Sequence, residues 1–213
     1  MIIAIDGPAA AGKGTLARRL AEKFNFAYLD TGALYRAVAL TLLQAGEDPA
    51  DEVAAARVSA DFDLSIIGDR SLRSEATGGA ASIVAAMPKV RDNLLKLQRN
   101  YASSPPENKE GVVLDGRDTG TVVCPKADLK LYVTATAEVR ARRRVEELAS
   151  RGHPADYATI LADVKARDER DMNRAQAPLK PAADALLLDT TLLDIDAVFL
   201  RAVQIVEARA KAD

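Results

Sequence analysis

Ile2-Ile3-Ala4-Ile5-Asp6 runs straight into Gly7-Pro8-Ala9-Ala10-Ala11-Gly12-Lys13-Gly14-Thr15. The first five residues are a short apolar run closed by Gly-Pro and read as a buried strand; from Lys13 onward, Leu16, Leu20 and Phe24 recur at helical spacing. Between them, Gly7 to Lys13 fits G-x-x-x-x-G-K in the context that this pattern requires, after a strand and before a helix. Backbone N–H groups of such a loop and the positive end of the following helix converge on phosphate oxygens, and the lysine ammonium adds a point charge. Gly14 takes the place where the general pattern has a metal-ligating Ser or Thr, so Thr15 is left to meet phosphate or a metal-bound water.

Outward from this loop, apolar strands alternate with helical stretches. Strands are expected at Ala27–Leu29, Gly111–Asp115, Leu129–Thr134 and Ala185–Leu188. Helices are expected at about 33–43, at 82–101 with a break at Pro88, and at 137–151, 156–174 and 195–210. Phe62–Ile67, Gly68-Asp69 and Arg70–Arg73 read as a β-hairpin with glycine first in its turn. The alternation predicts an α/β, doubly wound, mainly parallel sheet with its ligands beyond the strand C-termini. Val112-Val113-Leu114-Asp115 ends in a carboxylate that suits a place near a phosphate-bound metal.

Composition narrows the function classes. The 213 residues carry 29 basic and 31 acidic side chains, a net charge of -2, which argues against a dedicated nucleic-acid or polybasic membrane binder. Nine aromatic residues are too few for a base-stacking platform. No apolar run approaches a membrane span or a secretory leader, and a single cysteine, Cys124, forms no internal disulfide, so a cytoplasmic location is expected. The sole histidine, His153, falls in a turn between two helices, and neither it nor Cys124 has neighbours that make a zinc site. Arginine is the exception to this even composition: of 19 arginines, eight lie between Arg140 and Arg174.

Three further segments carry a resemblance. Leu29-Asp30-Thr31-Gly32-Ala33-Leu34-Tyr35-Arg36, then Asp115-Gly116-Arg117-Asp118-Thr119-Gly120-Thr121-Val122-Val123, then Arg167-Asp168-Glu169-Arg170-Asp171-Met172-Asn173-Arg174, in that order after Gly12-Lys13-Gly14-Thr15, resemble the bacterial cytidylate kinase family over almost the whole chain. The resemblance implies a P-loop core of five parallel strands (about 1–33, 108–139 and 176–213), a monophosphate-binding region (about 34–107, with the hairpin at 62–73) and a lid (about 140–175). The implied activity is ATP-dependent phosphorylation of CMP and dCMP with Mg2+, the metal having no assigned direct protein ligand. A monomer with nucleotide partners only is expected.

By the same resemblance, ATP meets Gly7, Pro8, Ala9, Ala10, Ala11, Gly12, Lys13, Gly14 and Thr15, with Arg144 from the lid. The acceptor meets Thr31, Tyr35, Arg36, Ser82, Arg91, Arg117, Asp118, Arg167, Asp171 and Arg174; Lys13, Arg117, Arg170 and Arg174 are the catalytic set. The chemistry is coherent: transfer of a γ-phosphoryl group gathers several anionic oxygens, and guanidinium forks neutralise and orient them. Arg167, Arg170 and Arg174 recur at i, i+3 and i+7 on roughly one helix face. Of Arg140, Arg142, Arg143 and Arg144, one or two are expected to reach ATP and the rest to stay solvated.

Asp118 resembles the family's base-facing residue, and a carboxylate there would accept from the cytosine N4 amino group and reject the uracil O4. Two departures from the family pattern stand out. The insertion has room for little more than a hairpin where longer members carry three strands, and Ala10 replaces a further loop glycine. Another small-molecule or nucleoside monophosphate kinase on the same scaffold is the alternative. A guanine-reading regulatory switch is disfavoured because Asn108-Lys109-Glu110 is followed by Gly111 rather than Asp.

Overall fold

The computed structural model describes residues 1–106 and 108–211. Five strands, β1 (Ile2–Asp6), β2 (Ala27–Asp30), β3 (Val112–Gly116), β4 (Leu129–Thr134) and β5 (Leu186–Asp189), form one sheet in the order β2-β3-β1-β4-β5, and every pairing is parallel. Each strand lies within a residue of its expected span. The chain winds to one side of β1 and then to the other, so a crevice opens beyond the C-terminal ends of β1, β3 and β4.

Alternation along the strands splits the core between the two faces. Ile3, Ile5, Val113, Leu131 and Val133 pack against α1 (Lys13–Lys23) and α8 (Ile195–Ala210). Val112 and Leu114 point the other way, toward Ala102 of α5 (Pro88–Ser103) and Val123. Fully burying side chains of this size stabilises by about 1.5–3 kcal/mol each, so these two layers fix where the strand ends, and therefore the crevice, must lie.

Residues between β2 and β3 build a second, helical body. α2 (Thr31–Gln44), α3 (Glu52–Ala60), α4 (Glu75–Val84) and α5 share an apolar centre that includes Leu34, Val38, Val58, Val84 and Leu94. The hairpin expected at 62–73 is not formed. Two short 3-10 turns, Leu64–Gly68 and Arg70–Arg73, replace it: the Asp63 and Asp69 carboxylates accept from the backbone N–H of Ser65 (2.8 Å) and Ser71 (2.7 Å), which offers the chain local hydrogen bonds without a strand partner. Helix α4 starts at Glu75, seven residues before the expected Ser82, because Ser74 caps it by accepting from Thr77 N–H. α6 (Ala137–Ser150) and α7 (Tyr157–Asn173) form an antiparallel pair with its own small apolar seam of Ala141, Leu148, Ile160 and Val164. His153 is exposed in the turn between them, and Cys124 is buried.

Candidate active site

Beyond β1 the chain turns at Gly7, where a Cβ would lie 1.9 Å from the Val133 carbonyl oxygen, and again at Gly12, which adopts a positive φ of 90° just before α1. Only glycine permits both the close approach and the turn. The Lys13 ammonium folds back over the loop and donates to the Pro8 carbonyl at 2.8 Å. Burial, with the charge of Arg117 added, lowers its pKa to about 7, against the opposing pull of Asp115 and Asp6. Asp115, at the end of β3, is pushed up to about 6 by burial, although Lys13 pulls it down. A Cβ on Gly14 would meet the Asp115 carboxylate at 3.1 Å, so that carboxylate stands beside the place where the general pattern has a hydroxyl.

A cavity of about 440 Å³ extends from this loop between the helical body and the α6–α7 pair. Seventeen of the residues expected from the sequence line it: Ala9, Ala10, Gly12, Lys13, Gly14, Thr15, Thr31, Tyr35, Arg36, Ser82, Arg117, Asp118, Arg144, Arg167, Arg170, Asp171 and Arg174. Gly7, Pro8, Ala11 and Arg91 do not. Arg91 lies behind Asp118, buried, ion-paired to that carboxylate, donating to the Ala85 carbonyl at 3.1 Å, and with its guanidinium 5.6 Å from the Tyr35 ring centre.

Lys13, Arg36, Arg117, Arg144, Arg170 and Arg174 each meet a polar partner. Arg36 pairs with Asp30 at 2.7 Å, and Asp30 in turn caps α2. Arg117 donates to Asp171 from Nε at 3.0 Å, while Ser82 lies 3.5 Å from the same carboxylate and accepts from Arg170 Nε at 3.3 Å. Burial pushes the Asp171 carboxyl up, but the charges of Arg117, Arg167 and Arg174 outweigh it and keep its pKa below the ordinary value. Burial beside Arg117 lowers Arg167 to about 10, which leaves it cationic near neutrality. Arg174 donates to the Ala177 carbonyl at 2.7 Å and lies 3.6 Å from Asp118. Three buried guanidinium nitrogens, Arg36 Nε, Arg167 Nε and Arg174 Nη2, have no hydrogen-bond partner among the described residues.

The cluster at 140–144 divides differently from the expectation that one or two of its arginines reach ATP and the rest stay solvated. Arg142 is exposed, but Arg140 is buried and Arg143 donates to Thr190 Oγ1 (2.9 Å) and the Thr190 carbonyl (2.7 Å). Arg144 lines the cavity while paired with Glu75 at the start of α4 and with Glu147 at 2.7 Å. A buried polar core makes the difference: carbonyls and carboxylates of neighbouring elements replace water around two of the four cations.

Sequence reasoning missed Asp6. Its carboxylate accepts from Thr119 N–H (2.8 Å), Thr119 Oγ1 (2.8 Å) and Gly120 N–H (2.7 Å), tying the end of β1 to a π-helical turn at Thr119–Val123 that follows Arg117 and Asp118. Burial nevertheless raises its pKa. An acid at the end of a buried strand beside the loop was the available signal. Arg18 and Arg73 also line the cavity; nothing in their spacing marked them.

A phosphate cradle at the end of β1, a parallel sheet in the order 2-3-1-4-5 and an arginine-lined crevice covered by a helix pair define the P-loop kinase class. Solved structures agree on the fold. A gluconokinase from Sinorhizobium meliloti 1021 superposes with a TM-score of 0.52 at 12% identity, covering 99% of this chain and 93% of that one. A shikimate kinase from Bacteroides thetaiotaomicron gives 0.51 at 14%, covering 97% and 98%.

The particular family follows from sequence. The profile described as cytidylate kinase matches residues 3–208. The chain is 58% identical over 208 residues to a cytidylate kinase of Bradyrhizobium sp. (strain ORS 278), covering 98% of this chain and 96% of that one. It is 51% identical over 211 residues to a cytidylate kinase of Rhodospirillum rubrum, covering 99% of both. The chain belongs to the cytidylate kinase family.

Proposed function

We propose that this protein transfers the γ-phosphoryl group of ATP to CMP and dCMP, giving CDP and dCDP. The observation that carries the reading is the set of buried N–H groups on Arg36, Arg167 and Arg174 that find no hydrogen-bond acceptor among the described residues, all on residues lining one cavity beside the phosphate loop. Buried donors are almost always satisfied, so three together call for an anionic ligand.

In this reading the loop from Gly7 to Thr15 and Lys13 hold the donor phosphates. Lys13 regains its full charge as phosphate oxygens replace the carbonyl that it now meets. Arg36, Arg117 and Arg174 take the acceptor phosphate, Arg170 the group in transit, and Arg167 with Asp171 the sugar. Tyr35, Thr31 and Ser82 complete the acceptor wall, and Asp118, steadied by Arg91, accepts from cytosine N4. The acceptor oxygen is already an anionic nucleophile, so positioning and charge neutralisation suffice without a strong base.

Magnesium bound to ATP supplies further charge neutralisation. Among the described residues no three His, Cys, Asp or Glu side chains cluster to hold a metal. Asp115 and Thr15, both lining the cavity, suit a hydrated ion carried in on the phosphates. Arg144 exchanges Glu75 and Glu147 for ATP when residues 140–175 close as a lid over the monophosphate-binding region at 34–107. No helix among the described residues is long and apolar enough to cross a membrane, and we place the reaction in the cytoplasm.

Initial rates with ATP, magnesium and a panel of CMP, dCMP, UMP and AMP test the reading. CMP and dCMP are expected to be the preferred acceptors; faster turnover of UMP or AMP overturns the base assignment.

A further inference from the structure

Arg140 and Asp168 form a buried unit that touches the phosphate loop. Arg140 sits in the first turn of α6, 4% exposed, and all three guanidinium nitrogens are used. Nε donates to the Ala135 carbonyl at 2.8 Å. Nη2 donates to one Asp168 oxygen at 2.5 Å, and Nη1 donates both to the other at 3.1 Å and to the Ala9 carbonyl at 3.2 Å. Asp168, on α7, takes the fork with both oxygens, an arrangement that only a planar guanidinium can satisfy while keeping a further N–H for a third partner.

The third partner is what matters. The peptide joining Ala9 to Ala10 is trans, so its C=O and N–H point in opposite directions. A donor that holds the Ala9 oxygen on the α6 side therefore turns the Ala10 N–H away from α6, and both residues line the cavity. Ala10 itself adopts φ 58°, a left-handed conformation costly for alanine and so in need of outside support. Free, this peptide would flip to a cheaper conformation and withdraw a phosphate donor.

We propose that Arg140 is a positioning residue for the donor phosphates: held by Asp168, it clamps the Ala9 carbonyl and so presents the Ala10 N–H to the phosphates of ATP. This rests on the reading of the loop as the ATP site. It differs from that reading in giving a lid-helix arginine a role away from the nucleotide, and in linking the helix that carries Arg167 and Asp171 to the donor loop through one ion pair.

The test measures binding of Mg-ATP and, separately, of CMP by titration calorimetry to the full-length protein and to Arg140→Met, Arg140→Lys and Arg140→Met/Asp168→Asn. Arg140→Met is expected to weaken ATP about 10- to 100-fold, the usual scale for a misplaced positioning group, while CMP affinity changes by less than about threefold. The double variant removes the carboxylate that the single change strands, so it regains thermal stability while ATP affinity stays low. Lysine reaches one partner but not both, and gives an intermediate loss even if the methionine variant folds poorly.

In the ATP complex the Ala10 amide resonance shifts in the unmodified protein and loses that shift in the variants. Equal losses for ATP and CMP, or a double variant that recovers ATP affinity along with stability, overturn the proposal. Failure of the unmodified protein to bind ATP would instead overturn the functional reading beneath it.

Discussion

Replacing Asp118 with asparagine exchanges an oxygen for an NH2 in a side chain that is 5% exposed and lies between two guanidinium groups, paired with Arg91 and 3.6 Å from Arg174. Arg91 sits on Oδ2 and the more distant Arg174 on Oδ1, so the amide oxygen turns to Arg91 and the new NH2 takes the Oδ1 position, facing the base. Against cytosine, donor then meets donor at N4; against uracil, donor meets the O4 acceptor. Losing one good base-edge contact is worth about 1–3 kcal/mol, and converting it to a mismatch in a site that excludes water places the change in the upper part of that range. The ratio of kcat/KM for CMP to that for UMP is therefore expected to fall about 30- to 150-fold. A coupled assay of diphosphate formation with each acceptor reads it directly, and because both constants come from the same variant, any general damage from weakening a buried ion pair cancels. A proportionate loss for both acceptors would mean that Asp118 holds Arg91 and Arg174 in place without reading the base.

Three further outcomes follow from the loop and its neighbours. Lys13→Met is expected to lower kcat about 10²- to 10³-fold with no fall in the urea midpoint, because methionine fills the same space without a buried charge; near-normal turnover would show that the loop is misread. Asp115, raised to about 6 by burial, binds its proton more tightly folded than unfolded, so the stability linked to it is fully present below its ordinary value of 3.8 and is lost as pH rises through about 6. Urea unfolding from pH 4 to 7 should therefore show a falling component that Asp115→Asn removes; identical slopes in the two proteins would refute it. Ala10→Gly relieves a left-handed backbone cost of about 1–2 kcal/mol against about 0.4–1 kcal/mol of added chain entropy, for a net gain near 0.5–1 kcal/mol. A loss of stability in the same unfolding measurement would show that φ 58° is not strained there.

Local signals carried most of the fold. The five strands were legible because each is a short apolar run with a punctuated end, and the phosphate loop because glycine and lysine fall at fixed offsets between a strand and a helix. Misreadings arose where two local signals competed. Around Gly68-Asp69 the alternation of a hairpin coexists with two Asp-x-Ser turns, and the turns prevail since no neighbouring strand rewards pairing. Gly78-Gly79 concealed the first half of α4, which Ser74 caps. The π-helical turn at Thr119–Val123 was invisible because its hydrogen-bond partner, Asp6, lies 113 residues away. Among site residues, the arginines announced themselves by number, whereas the distribution of partners within Arg140, Arg143 and Arg144 depends on which elements the tertiary fold places against α6.

That distribution has its own logic. Nine cationic and seven acidic side chains line the cavity, so it is far from the unopposed basic pocket that an anion site suggests. Unopposed, buried cations would depress one another's charge, as burial beside Arg117 already does to Lys13 and Arg167. Arg36 is gripped by a carboxylate through one nitrogen while another, Nε, is left without a hydrogen bond; Arg174 is held by a carbonyl through Nε while Nη2, 3.6 Å from Asp118, has no hydrogen bond. The grip fixes the direction of the fork before any ligand arrives, which removes much of the side-chain ordering cost that binding would otherwise carry. The free nitrogen supplies the attraction. Acidic residues of the same sign as the ligand thus favour its binding, provided that they occupy only part of each guanidinium.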